Sequence, residues 1–190
     1  MDDSKKRLVM GVLLIFFMIS SVFGVLFFGF NEGSTSLRYG DYNFKSVQNQ
    51  WGVKIGKKKL LFEYHPSDVD NLNLSEETKN RLLSSRMIYI TSDFNDTTKQ
   101  AIAQAAFQLT DHLIEKNIFV VNAFTESTSY NTPIITCENA TEFLPVLYFE
   151  THNITQIETI NNCLMLRGES QFDFGRLRDR LLYAIYEIIP

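Results

Sequence analysis

Apolar side chains dominate one uninterrupted stretch near the start of the chain, at residues 8–30. These 23 residues include no charge, and the only hydroxyl side chains among them are Ser20 and Ser21. A helix of about 20 residues crosses the hydrocarbon core of a bilayer, whereas a helix in a globular domain is rarely apolar on every side over this length. The pattern therefore predicts a transmembrane helix at 8–30, with the lipid bilayer as its partner.

A cleaved signal peptide is the alternative interpretation of this run. Its apolar region would span only about 7–15 residues and would end at a small-x-small cleavage site. Here the run is longer, and Gly29-Phe30-Asn31 is a poor cleavage site. We therefore expect an uncleaved anchor, preceded by a tail at 1–7 and followed by a short polar linker at 31–40.

The charges on either side of the apolar run predict its orientation. Lys5, Lys6 and Arg7 precede it directly, whereas the nearest cation beyond it is Arg38. Positive residues favour the cytoplasmic side of a membrane. We therefore expect a single-pass protein of the cell membrane, with a cytoplasmic N-terminus and residues 41–190 outside.

Cysteine usage and glycosylation motifs agree with an extracytoplasmic location. The only two cysteines are Cys137 and Cys163, and an even pair in such a compartment is most simply a disulfide. Reactive cysteines usually lie near helix N-termini or cations, but these two adjoin apolar runs. A structural disulfide is thus favoured over a redox pair or two free thiols. Four asparagines fit the N-glycosylation pattern and are candidate acceptors: Asn73, Asn95, Asn139 and Asn153.

Hydrophobic periodicity in residues 41–190 predicts a mixed α/β domain. Apolar residues alternate across 51–64 on either side of Gly56, which predicts a β-hairpin with a glycine turn. An amphipathic helix opened by Thr97 and Gln100 then separates two apolar strands, and the three form a predicted βαβ unit with a partly parallel sheet. The predicted strands outside the hairpin are 41–47, 86–93, 118–124, 145–150, 155–160 and 163–167, and the other helices are 75–84 and 172–189.

The two longer predicted helices each have an apolar face that we expect to pack on the sheet. The expected core consists of Ile102, Ala105, Ala106 and Leu109 on the first helix and Ile88, Ile90, Val120 and Val146 on the strands. The polar residues that we expect to face solvent are Gln100, Gln104 and Gln108 on the first helix and Arg176, Arg178 and Arg180 on the closing helix.

From residue 86 onward, the order strand, helix, strand, loop, strand, strand, helix resembles the thioredoxin-like fold. The Leu144-Pro145 step lies where that family places a cis-proline before its third core strand. The family's Cys-x-x-Cys would open the first helix, but residues 93–97 read DFNDT, so the redox activity does not carry over. The whole chain also resembles uncharacterised single-pass membrane proteins of small archaea, through its anchor, its Trp-containing hairpin and its PIITC…NNC pattern.

Composition and the remaining motifs narrow the function without defining a reaction. A net charge of −4 is a poor basis for nucleic-acid binding, which needs a basic face. His65, His112 and His152 lack the spacing of a zinc site, and Asp93 and Asp96 suit a helix cap better than a calcium loop. We expect no metal, cofactor or catalytic residue.

The function predicted by these features is that of a membrane-anchored extracytoplasmic interaction or scaffold module without catalytic activity. Its expected partner is another membrane or envelope protein, and its oligomeric state stays open. The alternative is a divergent thioredoxin-like thiol-disulfide oxidoreductase.

Cysteine labelling tests the predicted orientation. With Ser34 replaced by cysteine, a membrane-impermeant maleimide should label the protein in whole cells, because the linker is expected outside the membrane. A cysteine at Ser4 is the control and should react only after lysis. Labelling in the opposite pattern would reverse the orientation.

Overall fold

The structure, a computed structural model, describes residues 10–18 and 35–189. Residues 10–18 are helical and belong to the first of two compact units, Met1–Ser36 and Leu37–Pro190. Most of the predicted anchor at 8–30 lies outside the described residues, as do the tail at 1–7 and the first part of the linker. Within the two described ranges, no helix has both the length and the apolar character that crossing a bilayer requires.

The second unit combines strands and helices, which confirms the predicted mixed α/β class. Strand β1 begins inside the predicted linker. The strands are β1 (Ser36–Tyr39), β2 (Tyr42–Val47), β3 (Gln50–Ile55), β4 (Lys58–Phe62), β5 (Met87–Ser92), β6 (Phe119–Phe124), β7 (Val146–Thr151), β8 (Gln156–Ile160) and β9 (Cys163–Gly168). The helices are α1 (Glu76–Ser84), α2 (Lys99–Glu115) and α3 (Gln171–Ile185).

The first sheet joins β1 to β4 in sequence order. The predicted hairpin is present, because β3 and β4 pair antiparallel and the last pair, Ile55 with Lys58, encloses a two-residue turn. Gly56 adopts a φ of 59° in this turn, a left-handed conformation that glycine reaches without the steric cost of a Cβ.

The second sheet has the order β6-β5-β7-β9-β8. Strands β6, β5, β7 and β9 are mutually parallel, and only the edge strand β8 runs antiparallel. The predicted βαβ unit is confirmed, since α2 connects the parallel neighbours β5 and β6. Its expected apolar face is buried in the main core.

Two details of the second sheet differ from the expectation. The described residues include no cis peptide bond, whereas the thioredoxin-like family has a cis-proline at the place of Pro145. The Pro145 carbonyl instead accepts a hydrogen bond from the Tyr89 backbone N–H at 3.1 Å, and the extended chain continues directly into β7. Val146 is buried away from α2, in a smaller cluster with Cys163 and Met165, because successive side chains on a strand point to opposite faces.

Helix α3 contacts both sheets, and it is buried along almost its whole length. Tyr183 packs against Phe44 and Phe62 of the first sheet. On the other side, Phe174 packs near Phe149 of the second sheet. The α3 helix therefore forms a layer through which the two sheets share one core.

The expectation that the α3 arginines face solvent is wrong for two of them. Arg178 and Arg180 are buried, and Arg176 is half-buried beside Asp173. The cause is the position of α3 between two sheets, which leaves the helix almost no solvated side.

Truncation of Leu109 tests the packing of α2 on the second sheet. Leu109 is fully buried, so Leu109→Ala should lower the free energy of unfolding by about 2–5 kcal/mol through lost burial and a residual cavity. Ile114→Ala removes an exposed side chain from the same helix and is the control. Urea unfolding followed by circular dichroism measures both, and equal midpoints for the two variants would contradict this packing.

Candidate functional site

The disulfide pins a long loop to one face of the second sheet. The sulfur atoms of Cys137 and Cys163 lie 1.97 Å apart and their Cα atoms 5.2 Å apart, which is the bonding arrangement expected for the pair. Cys163 is fully buried in β9, whereas Cys137 is half-buried in a short 3-10 helix, Cys137–Asn139. The loop that precedes β7 is therefore held against Val146 and Met165.

The four candidate glycosylation sites all lie on the surface. Asn73, Asn95, Asn139 and Asn153 are all exposed. Two of them also bind neighbouring groups, because Asn95 donates to Glu126 and the Asn139 side chain accepts from the Thr136 backbone N–H. Exposure is compatible with glycosylation, which stays a prediction.

The three histidines remain apart. His65 is buried against Trp51 and Phe44, and burial lowers its pKa despite the nearby Asp68 carboxylate. His112 shares a hydrogen bond of 2.9 Å with the Tyr186 hydroxyl, and His152 is exposed. Within the described ranges, no group of three or more potential ligands could hold a metal ion.

A cavity of about 430 Å³, the apolar pocket, opens where β5 and β6 end and α2 begins. Asp93 and Lys99 supply charges among its mostly apolar lining. The apolar lining is formed chiefly by Ile90, Phe94, Ile102, Ala106, Phe107 and Phe124.

Aromatic rings shape the rim of the apolar pocket. The Phe94 ring lies 5.3 Å from that of Phe124 and 5.8 Å from that of Tyr130, both at steep angles. The Lys99 ammonium lies 5.2 Å from the centre of the Phe94 ring, within range of a cation–π interaction. Phe107 projects from α2 with 66% of its surface exposed. Such an exposed aromatic beside an open pocket is a typical feature of a binding surface.

Asp96 fixes the loop that carries Phe94. Its carboxylate accepts hydrogen bonds from the backbone N–H of Thr98 at 2.7 Å and of Thr151 at 2.9 Å, and from both threonine hydroxyls. Burial alone would raise the pKa of Asp96, but these hydrogen bonds outweigh it and lower the pKa below its usual range. The ionised Asp96 therefore ties the loop after β5 to the end of β7, beside the apolar pocket.

The position of the apolar pocket agrees with a general property of parallel sheets. The chain passes from β5 through α2 to β6 on one side of β5, and then returns to β7 on the other side, so the direction of its connections reverses at β5. Ligands of open α/β sheets usually bind at the carboxyl ends of the strands, near such a reversal. The apolar pocket lies at this end of the sheet.

A buried ionic network joins α3 to the first sheet and to α2. Asp179 accepts from the backbone N–H groups of Glu63 and Tyr64 at 2.8 Å each, and from Arg178 at 2.7 and 2.9 Å. Arg178 also donates to Glu63 and Gln108. Burial raises the pKa of Asp179 to about 6, although Arg178 and the backbone donors oppose the shift, so the carboxylate is ionised at pH 7.

The sequence interpretation missed this network because it placed the α3 arginines in solvent. A usable signal was present. Residues 172–185 carry apolar side chains on almost every side of the predicted helix, and a helix of that kind is usually buried. Charged residues within it must then find partners in the interior.

In comparisons with protein-family models, curated proteins and solved structures, no match to this chain was found.

Substitution of Asp179 tests the ionic network. Asp179→Asn should lower the free energy of unfolding at pH 7 by about 3–5 kcal/mol, because it removes one partner of a buried ion pair. The amide that replaces the carboxylate would also place its own N–H groups near the N–H groups of Glu63, Tyr64 and Arg178, which can only donate. Asp111→Asn changes an exposed residue of α2 and is the control. Urea unfolding followed by Trp51 fluorescence should separate the two variants; similar stabilities would show that the network contributes little.

Proposed function

We propose that residues 41–190 form a binding module outside the cell membrane, held there by the apolar segment at 8–30, that contacts another membrane or envelope protein without catalysing a reaction. The observation that carries this proposal is the apolar pocket with the exposed Phe107 beside it. A protein partner would insert one apolar side chain into the pocket and cover Phe107.

The energetics of interfaces favour this use of the apolar pocket. Most of the affinity of a protein interface comes from a few aromatic or aliphatic anchors that fill desolvated pockets. The rings of Phe94 and Phe124 line the pocket, and Tyr130 contacts Phe94. Aromatic rings of this kind offer large apolar surfaces that lose little conformational entropy on binding. Lys99 and Asp93 border the same surface and would set the orientation of a partner.

Membrane attachment supports a partner in or on the same membrane. Confinement to one surface raises the effective concentration of two proteins for each other. A modest apolar contact is then sufficient for association, since only part of the entropy of association remains to be lost.

The geometry around the disulfide favours a structural role over the redox alternative. Thiol–disulfide exchange requires access of a thiolate to one of the sulfur atoms. Cys163 is fully buried, and Cys137 is only partly accessible. Both cysteines among the described residues belong to this one bond, so a separate resolving thiol is missing from that part of the chain.

Site-specific photo-crosslinking in native membranes tests the binding proposal. A photoreactive phenylalanine analogue at Phe107 should yield a discrete adduct with another protein, because this side chain borders the apolar pocket. The same analogue at Phe143, another exposed phenylalanine outside the apolar pocket, is the control. Ala103→Arg, at an exposed position that lines the apolar pocket, should reduce the Phe107 adduct roughly tenfold by blocking the mouth.

Two results would contradict the binding proposal. Equal adducts from Phe107 and Phe143 would mean that contact is nonspecific. Reduction of insulin disulfides by the purified protein, abolished in Cys137→Ala, would replace the binding module with the oxidoreductase.

A further inference from the structure

The polar side of α2 also lines cavities. Two adjoining cavities of about 380 and 290 Å³ open between α2, α3 and the first sheet. They share Glu63, Gln104 and Arg178 in their walls, and we call the combined space the amide cleft.

Most of the polar residues that line the amide cleft carry side-chain amides. Helix α2 contributes three glutamines spaced four residues apart, which places them on one stripe of the helix. Each amide offers one acceptor oxygen and two N–H donors, so the wall can bond groups that both donate and accept. The seven amide residues are Gln48, Asn49, Gln50, Gln100, Gln104, Gln108 and Gln171.

The β2–β3 turn keeps two of these amides at an energetic cost. Gln48 and Asn49 have φ values of 48° and 61°, in the left-handed region where glycine is most favourable. The other two hairpin turns of this sheet place glycine in that conformation, at Gly40 and Gly56. The turn at the amide cleft therefore has Gln48 and Asn49 in a conformation for which the other turns of the same sheet have glycine.

The wall of the amide cleft contains an ion pair. Glu63 and Arg178 both line the cleft, and their charged groups lie 3.2 Å apart. The absence of a Cβ at Gly175 of α3 leaves room beside this pair, since a Cβ there would lie 2.9 Å from the Glu63 carboxylate. Burial lowers the pKa of His112, with Lys58 and Arg178 adding to the shift against Glu115 and Asp111, so its ring is neutral at pH 7. Arg178, the arginine of this wall, is paired with Glu63 and also with Asp179, so an anionic ligand would find no free positive charge here.

Exposed apolar groups border each half of the amide cleft. Leu61 lines one cavity with 45% of its surface exposed, and Phe172 lines the other with 66% exposed. A ligand that fits must therefore have polar edges that donate and accept hydrogen bonds, and apolar faces that pack on Phe172 and Leu61. Sugar rings combine these properties, through their hydroxyl groups and their C–H faces.

We propose that the amide cleft binds a neutral oligosaccharide. The amides and the Glu63–Arg178 pair would bond its hydroxyl groups, and Phe172 would pack against one ring. The amide cleft and the apolar pocket share Gln100 in their walls, but the two proposals rest on different cavities and ligands, so a failure of either leaves the other standing.

Titration of the full chain with neutral trisaccharides tests the site. The probes are the trisaccharides of glucose, mannose and N-acetylglucosamine, added to protein in a detergent without a sugar headgroup and followed by calorimetry. At least one should bind, and Gln104→Leu should weaken that binding about fivefold to tenfold through the loss of hydrogen bonds. Gln156→Leu, on edge strand β8 outside the amide cleft, is the control and should bind as the parent does.

A second variant separates binding from folding. Asn49→Gly removes an amide from the amide cleft while relieving its left-handed backbone, so it should bind less tightly with an unchanged or higher melting temperature. Asn161→Gly makes the same change in the β8–β9 turn, where φ is 55°, and should leave affinity unaltered. A sialylated trisaccharide is the anionic comparison probe. Absence of binding by all three neutral probes, tighter binding of the sialylated one, or affinity unaffected by Gln104→Leu and Asn49→Gly would each overturn the proposal.

Discussion

One buried carboxylate determines how the two halves of this domain fit together. Asp179 lies in the middle of α3, and its oxygens bond the backbone of Glu63 and Tyr64 directly after β4. Tyr183, one turn further along α3, donates its hydroxyl to the Tyr64 carbonyl. The first sheet is thus attached to the helix that packs on the second sheet. Because these groups are desolvated, any other placement of β4 on α3 would leave polar atoms unsatisfied.

Local patterns predicted the parts of the fold that depend on neighbouring residues. The hairpin around Gly56, the βαβ unit and the buried face of α2 all follow from periodicity and turn chemistry. The packing of one sheet against the other side of α3 could not be predicted in this way, because it depends on residues more than a hundred positions apart, such as Glu63 and Asp179. For the same reason, neither candidate site could be predicted from the sequence. In the sequence, the glutamines of α2 have the pattern of a solvent-exposed face, and only the position of the first sheet makes them line a cavity.

Helix α2 serves two different surfaces. Residues such as Ile102 and Phe107 line the apolar pocket, whereas Gln104 and Gln108 line the amide cleft. Gln100 borders both cavities. Both the apolar and the polar side of this amphipathic helix therefore border cavities. The polar side is not simply exposed to bulk solvent. A small shift of α2 along the second sheet would alter both surfaces together.

The disulfide also gives the chain a covalent ring. Its two cysteines are 26 positions apart, and the ring encloses β7, β8 and the exposed turn between them. Proteases preferentially cut such exposed turns. A single cut near Asn153 would leave both fragments linked through sulfur, with β7 and β9 still adjacent in the sheet. An enzymatic nick there would thus convert the chain into two covalently joined pieces without releasing either from the fold.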